Sequence, residues 1–366
     1  MKAFKASTIY TGADVLHSHA VLVDNGRIHS VIPSVSVDAA IPIVDYGTSS
    51  ISPPFIDLQI YGASGRLFGE DTSVETLEAM YKHCVAAGTG WFLPTVASND
   101  MAVYYAAIDA VRSYWAKGGS GVLGLHIEGP WINPAQAGAQ QKDLIVAADS
   151  SAMEDLLRYA GDVIRMITLA PECVTRAQIS LIRDHNIVVS AGHSQADYAL
   201  AYDAFENGVG AATHLYNGMV PFHHRSPGIL GAVFMHPVVK AGIIADGIHV
   251  DYIALAVAKK LLGERLFIIT DAVTQSNGVY PHRLVGDHYE IDGVLSGSAI
   301  TLLRSVKNLI EHVGIEKAEA LRMCSLYPAR LLGKGDEMGM IKKGYPATFI
   351  VADDKMESAE LITNLF

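Results

Sequence analysis

The chain has 366 residues, half of them hydrophobic and 18% charged, with a formal net charge of -11. This composition calls for a large buried core and excludes wholesale disorder. The acidic balance excludes broad, sequence-blind nucleic-acid binding but still allows a locally basic pocket. Three scattered cysteines, Cys84, Cys173 and Cys324, form no CxxC pair and fit a reducing cytoplasm. The N-terminal MKAFKASTIYTGADVL lacks the apolar core of a signal peptide, and no stretch reaches membrane-spanning length. A cytoplasmic protein with no membrane or nucleic-acid partner is expected.

The first fifty residues read as short β segments at Ala20–Asp24, Ile28–Ile32 and Ile41–Val44, with turn signals at Asn25-Gly26 and Tyr46-Gly47. The middle alternates strand-like runs with helical patterns. Strands are predicted over Phe55–Ile60, Gly90–Val96, Val122–Glu128, Met166–Ala170, Ile187–His193, Ala211–Leu215, Lys240–Ala245 and Leu266–Asp271. Helices are predicted between them at Val74–Ala87, Met101–Trp115, Ala152–Tyr159, Arg176–Asp184 and Ala196–Asn207. Pro221–Phe234 reads as a long loop, because Pro, Gly and His interrupt any helix. Ala299–His312 and Ala318–Leu332 read as further helices, and short β segments return at Gly339–Ile341, Ala347–Ala352 and Leu361–Thr363. The expected fold is α/β: a (β/α)8 TIM-type barrel over 52–336, with a small β-sandwich built from both termini, 1–51 and 337–366.

Chemistry-bearing side chains recur at the ends of the predicted strands. Glu128 closes HIEGP, His193 lies in SAGHS, His214 in ATHLYNGM, and Asp271 follows LFIIT. Each alone has an ordinary reading: a strand-capping histidine, a turn acid, a helix N-cap. Together at one end of one barrel, Glu128, His193 and His214 suit one divalent ion, zinc first, with iron, cobalt or manganese as alternatives. Beside such an ion Asp271 can take a proton from the attacking water and return it to a leaving group. His249, in the stretch Asp246-Gly247-Ile248-His249, is placed to contact substrate or polarise a carbonyl. Phe222-His223-His224-Arg225 is a compact cationic cluster suited to a phosphate or carboxylate, and Ser296-Gly297-Ser298 reads as a helix cap or a pocket rim.

The ordered motifs PPFIDLQIYG, HIEGPWINP, TLAPE, SAGHSQA, ATHLYNGM, RSPGILGA, IIADGIHVD, ITDAV and LSGSAITL resemble the N-acetylglucosamine-6-phosphate deacetylase family of the amidohydrolase superfamily. The resemblance runs from about residue 52 to 333 and continues weakly into MGMIKKGYPATFIVAD. It implies a metal held by Glu128, His193 and His214, Asp271 as catalytic acid/base, and His249 on the substrate. It also implies substrate contacts from Ala139, Gln140, Asn217, Gly218, Arg225 and Leu295. The implied reaction is removal of the acetyl group from a phosphorylated amino sugar, by a homodimer whose Arg225 loop reaches the neighbouring site. Gln59 stands where two-metal amidohydrolases carry a ligand histidine, and no lysine follows the fourth strand, so the resemblance implies one metal.

Three departures fall where sugar or phosphate would bind. Gln140 replaces a family histidine, Gly218 an alanine, and Ser226 a glutamate. They leave the galactosamine epimer, or another N-acyl amino sugar, as the alternative substrate. A cyclic-amide hydrolase is disfavoured by the missing second-metal ligands. A catalytically silent sugar-binding barrel is disfavoured because every metal and acid/base position holds a competent residue.

Overall fold

The computed structural model describes residues 1–363. By contacts the chain divides into two compact units. One comprises Met1–Asp57, Cys84–Trp91 and the segment from Thr301 onward; the other comprises Leu58–His83 and Phe92–Ile300. Residues 301–336, placed with the barrel on sequence, group by contacts with the terminal segments.

In the first unit two sheets share one core. A four-stranded sheet is ordered Arg27–Pro33, His19–Asp24, Lys2–Lys5, Ile43–Asp45. A five-stranded sheet is ordered Ala359–Ile362, Phe349–Ala352, Ser50–Ser52, Thr8–Tyr10, Val15–His17. Phe4, Val21, Ile51 and Phe349 meet between them, with the Phe4 and Phe349 rings edge-on at 5.2 Å. Both ends of the chain therefore supply strands to one small sandwich.

The eight-stranded parallel sheet runs β1 (Phe55–Ile60), β2 (Thr89–Val96), β3 (Leu125–Glu128), β4 (Ile164–Leu169), β5 (Val188–Ala191), β6 (Ala211–Ala212), β7 (Lys240–Ile243), β8 (Leu266–Ile268), each beside the next. It closes through the Ile60–Ala272 bridge, with Asp271 N donating to Gln59 O at 3.0 Å and Tyr61 N to Ala272 O at 2.9 Å. Helices follow in turn: α1 (Val74–Ala86), α2 (Met101–Ala116), α3 (Ser150–Ala160), α4 (Arg176–Asp184), α5 (Tyr198–Glu206), α6 (Gly228–Met235) and α7 (Tyr252–Leu262). Their starts are set locally. Asp149, Asp197 and Asp251 cap α3, α5 and α7, and Thr175 with Gln178 forms a capping box on α4. This is the TIM-type barrel expected from the alternating pattern.

Two departures from that expectation have clear causes. The segment 221–234 is not loop throughout, because α6 begins at Gly228. Its residues Ile229, Leu230, Ala232 and Val233 are all buried, so there is no polar face to give a helical period, and Pro227 sits at the cap where its missing N–H costs nothing. Strands β5, β6 and β8 are shorter than expected. Each is followed by a residue in the left-handed region, His193 (φ 48°), His214 (φ 30°) and Asp271 (φ 53°), within a few residues of its end. After β8 comes an unexpected antiparallel ribbon: β9 (Arg283–Val285), β10 (His288–Ile291) and β11 (Val294–Ser298). Among the described residues no helix is long and apolar enough to cross a membrane.

Candidate active site

At the C-terminal end of the barrel, Glu128, His193 and His214 bring one ligand atom each within 4.8 Å of one another, all buried. The orientation of each ring is fixed from behind. His193 Nδ1 meets Gln136 O at 2.8 Å, and His214 Nδ1 meets Asn217 O at 3.1 Å. A carbonyl accepts only, so each Nδ1 carries the proton and each Nε2 presents a lone pair. Those two Nε2 atoms face each other at 3.1 Å, and Glu128 Oε1 lies 2.9 Å from one and 3.3 Å from the other. Three electron-rich atoms converging on one point repel unless a cation sits among them. Burial works to lower the His214 pKa, but Glu128 lifts it to about 9, so the site favours a bound positive charge. A carboxylate with two imidazoles suits zinc or a similar divalent ion.

The other groups on Glu128 are amides and a phenol. Gln59 Nε2 donates to Oε1 at 2.9 Å, and Gln140 Nε2 donates to Oε2 at 2.8 Å. Tyr61 Oη also donates to Oε2, and Gln59 Nε2 reaches Tyr61 Oη at 2.8 Å. Gln59, within β1, and Tyr61, directly after it, meet Glu128 with hydrogen bonds. Gln140, expected against sugar, lines the cavity while its amide bridges Glu128 and the Ser98 N–H. Tyr61 carried no signal in the sequence, since a tyrosine after an apolar run is ordinarily core.

Beneath the cluster lies a polar layer. His126 joins Leu58 O and Thr168 Oγ1, which continues to Thr213 and Ser190. Burial pushes His126 down to about 4, so it is neutral structure and not a ligand. Glu172, after β4, accepts from Ser194 Oγ, Gln195 N and Asn133 Nδ2, fixing the turn that carries His193.

Asp271 is buried on the same cavity, and its Oδ1 has no hydrogen-bond partner among the described residues. Burial first, then the Glu128 charge, raises its carboxyl to about 6 against the pull of nearby imidazoles. His249 faces the same space, with Nδ1 2.6 Å from Asp246 Oδ2. Asp246 in turn accepts from the backbone N–H groups of Ile248 and His249. Asn217 Nδ2 is a buried donor with no partner among the described residues, and Gly218, Ala139 and Leu295 also line the cavity. Arg225 lies elsewhere. It is exposed on the turn bridged by His223 and Ser226, with its guanidinium beside His224.

A closed parallel barrel with an oxygen-nitrogen-nitrogen cation cluster and a facing acid at its C-terminal end defines a barrel hydrolase. The chain belongs to the amidohydrolase family, whose model matches residues 50–366, while a NagA composite domain model matches residues 1–47. It is 36% identical to the N-acetylglucosamine-6-phosphate deacetylase of Haemophilus influenzae, over 94% of this chain and 93% of that one. It is 29% identical to the N-acetylgalactosamine-6-phosphate deacetylase of Escherichia coli O157:H7, over 98% of this chain and 96% of that one. The crystal structure of N-acetylglucosamine-6-phosphate deacetylase from Pasteurella multocida superposes with a TM-score of 0.94 at 34% identity, covering 99% of this chain and 100% of that one.

Proposed function

We propose that the protein hydrolyses the acetamide of N-acetylglucosamine 6-phosphate, giving glucosamine 6-phosphate and acetate. The carrying observation is the buried Glu128–His193–His214 cluster, faced across one cavity by Asp271 with its unpartnered Oδ1. One divalent ion per subunit, zinc by donor set, would be held by those three side chains, supplying a Lewis acid and a more acidic water. Asp271 accepts the water's proton and delivers it to the departing amine nitrogen. His249, held by Asp246, turns Nε2 to the acetyl oxygen, and Tyr61 and Gln140 hold the outer oxygen of Glu128. Asn217 Nδ2 and the Gly218 backbone take the phosphoryl end.

A dimer completes this reading. α7 leaves Ile253, Val257 and Leu261 exposed at i, i+4, i+8 spacing, a solvent-facing apolar stripe, and Met235 at the end of α6 and Val238 after it are exposed too. We infer that a second copy covers that stripe and that each Arg225 turn serves its neighbour's cavity as an extra phosphate contact. The free cysteines Cys84, Cys173 and Cys324 fit a cytoplasmic enzyme.

The galacto epimer is the second reading, favoured by the Escherichia coli relative. Acetate release from the gluco and galacto 6-phosphates, and from the unphosphorylated sugar, separates the readings. The gluco phosphate is expected to have the highest kcat/KM, and release from none of them refutes the function.

A further inference from the structure

The ribbon after β8 carries a buried histidine that the chemistry above does not use. His282 is 4% exposed, and its ring lines the cavity that holds the metal cluster. Its Nδ1 meets Ser296 Oγ at 2.9 Å, and its Nε2 has no partner among the described residues. The ring is held between two aromatics. Tyr280 stacks on it with centroids 6.2 Å apart, and Tyr289 stands edge-on at 6.5 Å. Tyr280 is itself pinned, its Oη donating to Ser98 O and its N–H to Glu70 Oε1. This is a built position on a braced wall.

The wall is also tied to the chemistry. Ser298 N donates to Asp271 O at 3.1 Å, and Val273 N donates back to Ser298 O at 3.1 Å. The approach is so close that a Cβ on Gly297 would lie 2.7 Å from Val273 Cγ1 and 3.1 Å from Asp271 O. Ser296 is therefore held two residues from the strand that seats the acid/base.

The character of the pair decides what it binds. Burial pushes His282 down to about 4, so the imidazole is neutral at working pH and draws no anion. One nitrogen is committed to Ser296 and one is left to make a single hydrogen bond. The serine hydroxyl turns to suit either tautomer, so that bond can be given or accepted. A polar atom left without a protein partner on the wall of a ligand cavity is open to a bond from the ligand. The natural complement of a neutral group that can give or take one bond is a hydroxyl, which does both.

We propose that His282 and Ser296 form a hydroxyl-reading subsite, in which His282 Nε2 contacts a ring hydroxyl of the amino sugar. This rests on the amino-sugar reading of the cavity. The test compares kcat/KM of the metal-loaded wild type, H282F, H282N and S296A on four substrates: N-acetylglucosamine 6-phosphate, its C4 epimer, and the 3-deoxy and 4-deoxy analogues. Phe keeps the packing between Tyr280 and Tyr289 and removes the hydrogen bond. H282F should lose roughly 10–100-fold on the parent sugar and far less on the one analogue that lacks the contacted hydroxyl. H282N should recover part of the loss, and S296A should show the same analogue dependence at smaller size. Metal content and Tm should stay near wild type. An equal loss on every analogue, or no loss, overturns the subsite while leaving the hydrolase reading intact. Wild-type protein that releases acetate from none of them overturns the amino-sugar reading and the subsite with it.

Discussion

Asp246 Oδ2 lies 2.6 Å from His249 Nδ1, and both side chains are 5% exposed. Asp246 also accepts the N–H groups of Ile248 and His249, so the carboxylate is locked before it touches the ring. This fixes one tautomer of His249 and aims Nε2 at the cavity. Asp246→Asn should cut kcat by about 10–100-fold with unchanged metal content, because an amide does not enforce that tautomer. Wild-type kcat in this variant would remove His249 from the reaction.

Asp271 should set the acid limb of the rate profile. Its carboxyl is raised to about 6 by burial, and the working form is the carboxylate, so activity is lost as pH falls through its pKa. A bound cation favours the carboxylate and moves this limb to lower pH. kcat/KM should therefore fall about tenfold per unit below an apparent pKa at or under about 6. Asp271→Asn should lower kcat by about two to four orders of magnitude while retaining metal and losing the limb.

Gly218 should resist even the alanine that the family carries there, because in this chain the His193 ring lies against the space a Cβ would take. Its φ is +61°, and a Cβ there would lie 2.9 Å from His193 Nδ1. Gly218→Ala meets the ring on the side that bonds Gln136 O, and it carries a left-handed penalty of about 1–2 kcal/mol. Metal affinity, read by chelator competition, should drop by about tenfold or more. Unchanged affinity would show that the ring has room to move.

Tyr61 should tune the metal through Glu128. Tyr61→Phe removes one of the two donors on Glu128 Oε2 and leaves Gln140. Metal affinity should fall by about tenfold, and the absorption spectrum of the cobalt-loaded protein should shift. An unshifted spectrum would make Tyr61 packing alone.

The proposed dimer is open to a complementation test. Arg225→Ala and Asp271→Asn, mixed as subunits and assayed far below the raised KM of Arg225→Ala, should give more activity than the two proteins measured apart. Hybrids rebuild one intact site, so an equal mixture should approach about a quarter of wild-type rate per subunit. Sedimentation should show two chains per particle. A monomer with full phosphate preference would refute the arrangement.

The barrel was legible because buried parallel strands read as apolar runs between amphipathic helices. Glu128, His193, His214 and Asp271 were legible because each ends such a run. What was missed lacked contrast. α6 is apolar on every side, so no period marks it. The ribbon is missed for the opposite reason: Arg283, Leu284 and Val285 of β9 are all exposed, and alternation needs a buried face. Asp246 stands out only as a neighbour of His249, and Tyr61 and His282 do not stand out at all. Tyr61 takes its role from Glu128, far along the chain, and His282 from Ser296, which only the turns of the ribbon bring beside it.

The two backbone bonds that tie Ser298 to Asp271 and to Val273 bear on redesign. Many barrel enzymes allow a specificity loop to be exchanged as a cassette, leaving the chemistry untouched. Here the wall that would choose among sugars and the carboxylate that would move the proton share one stretch of hydrogen-bonded main chain. Grafting a foreign ribbon to alter substrate choice would also shift the proton carrier, so changes in selectivity should arrive with changes in turnover. Single side-chain exchanges on the existing ribbon are the route that keeps the two separable.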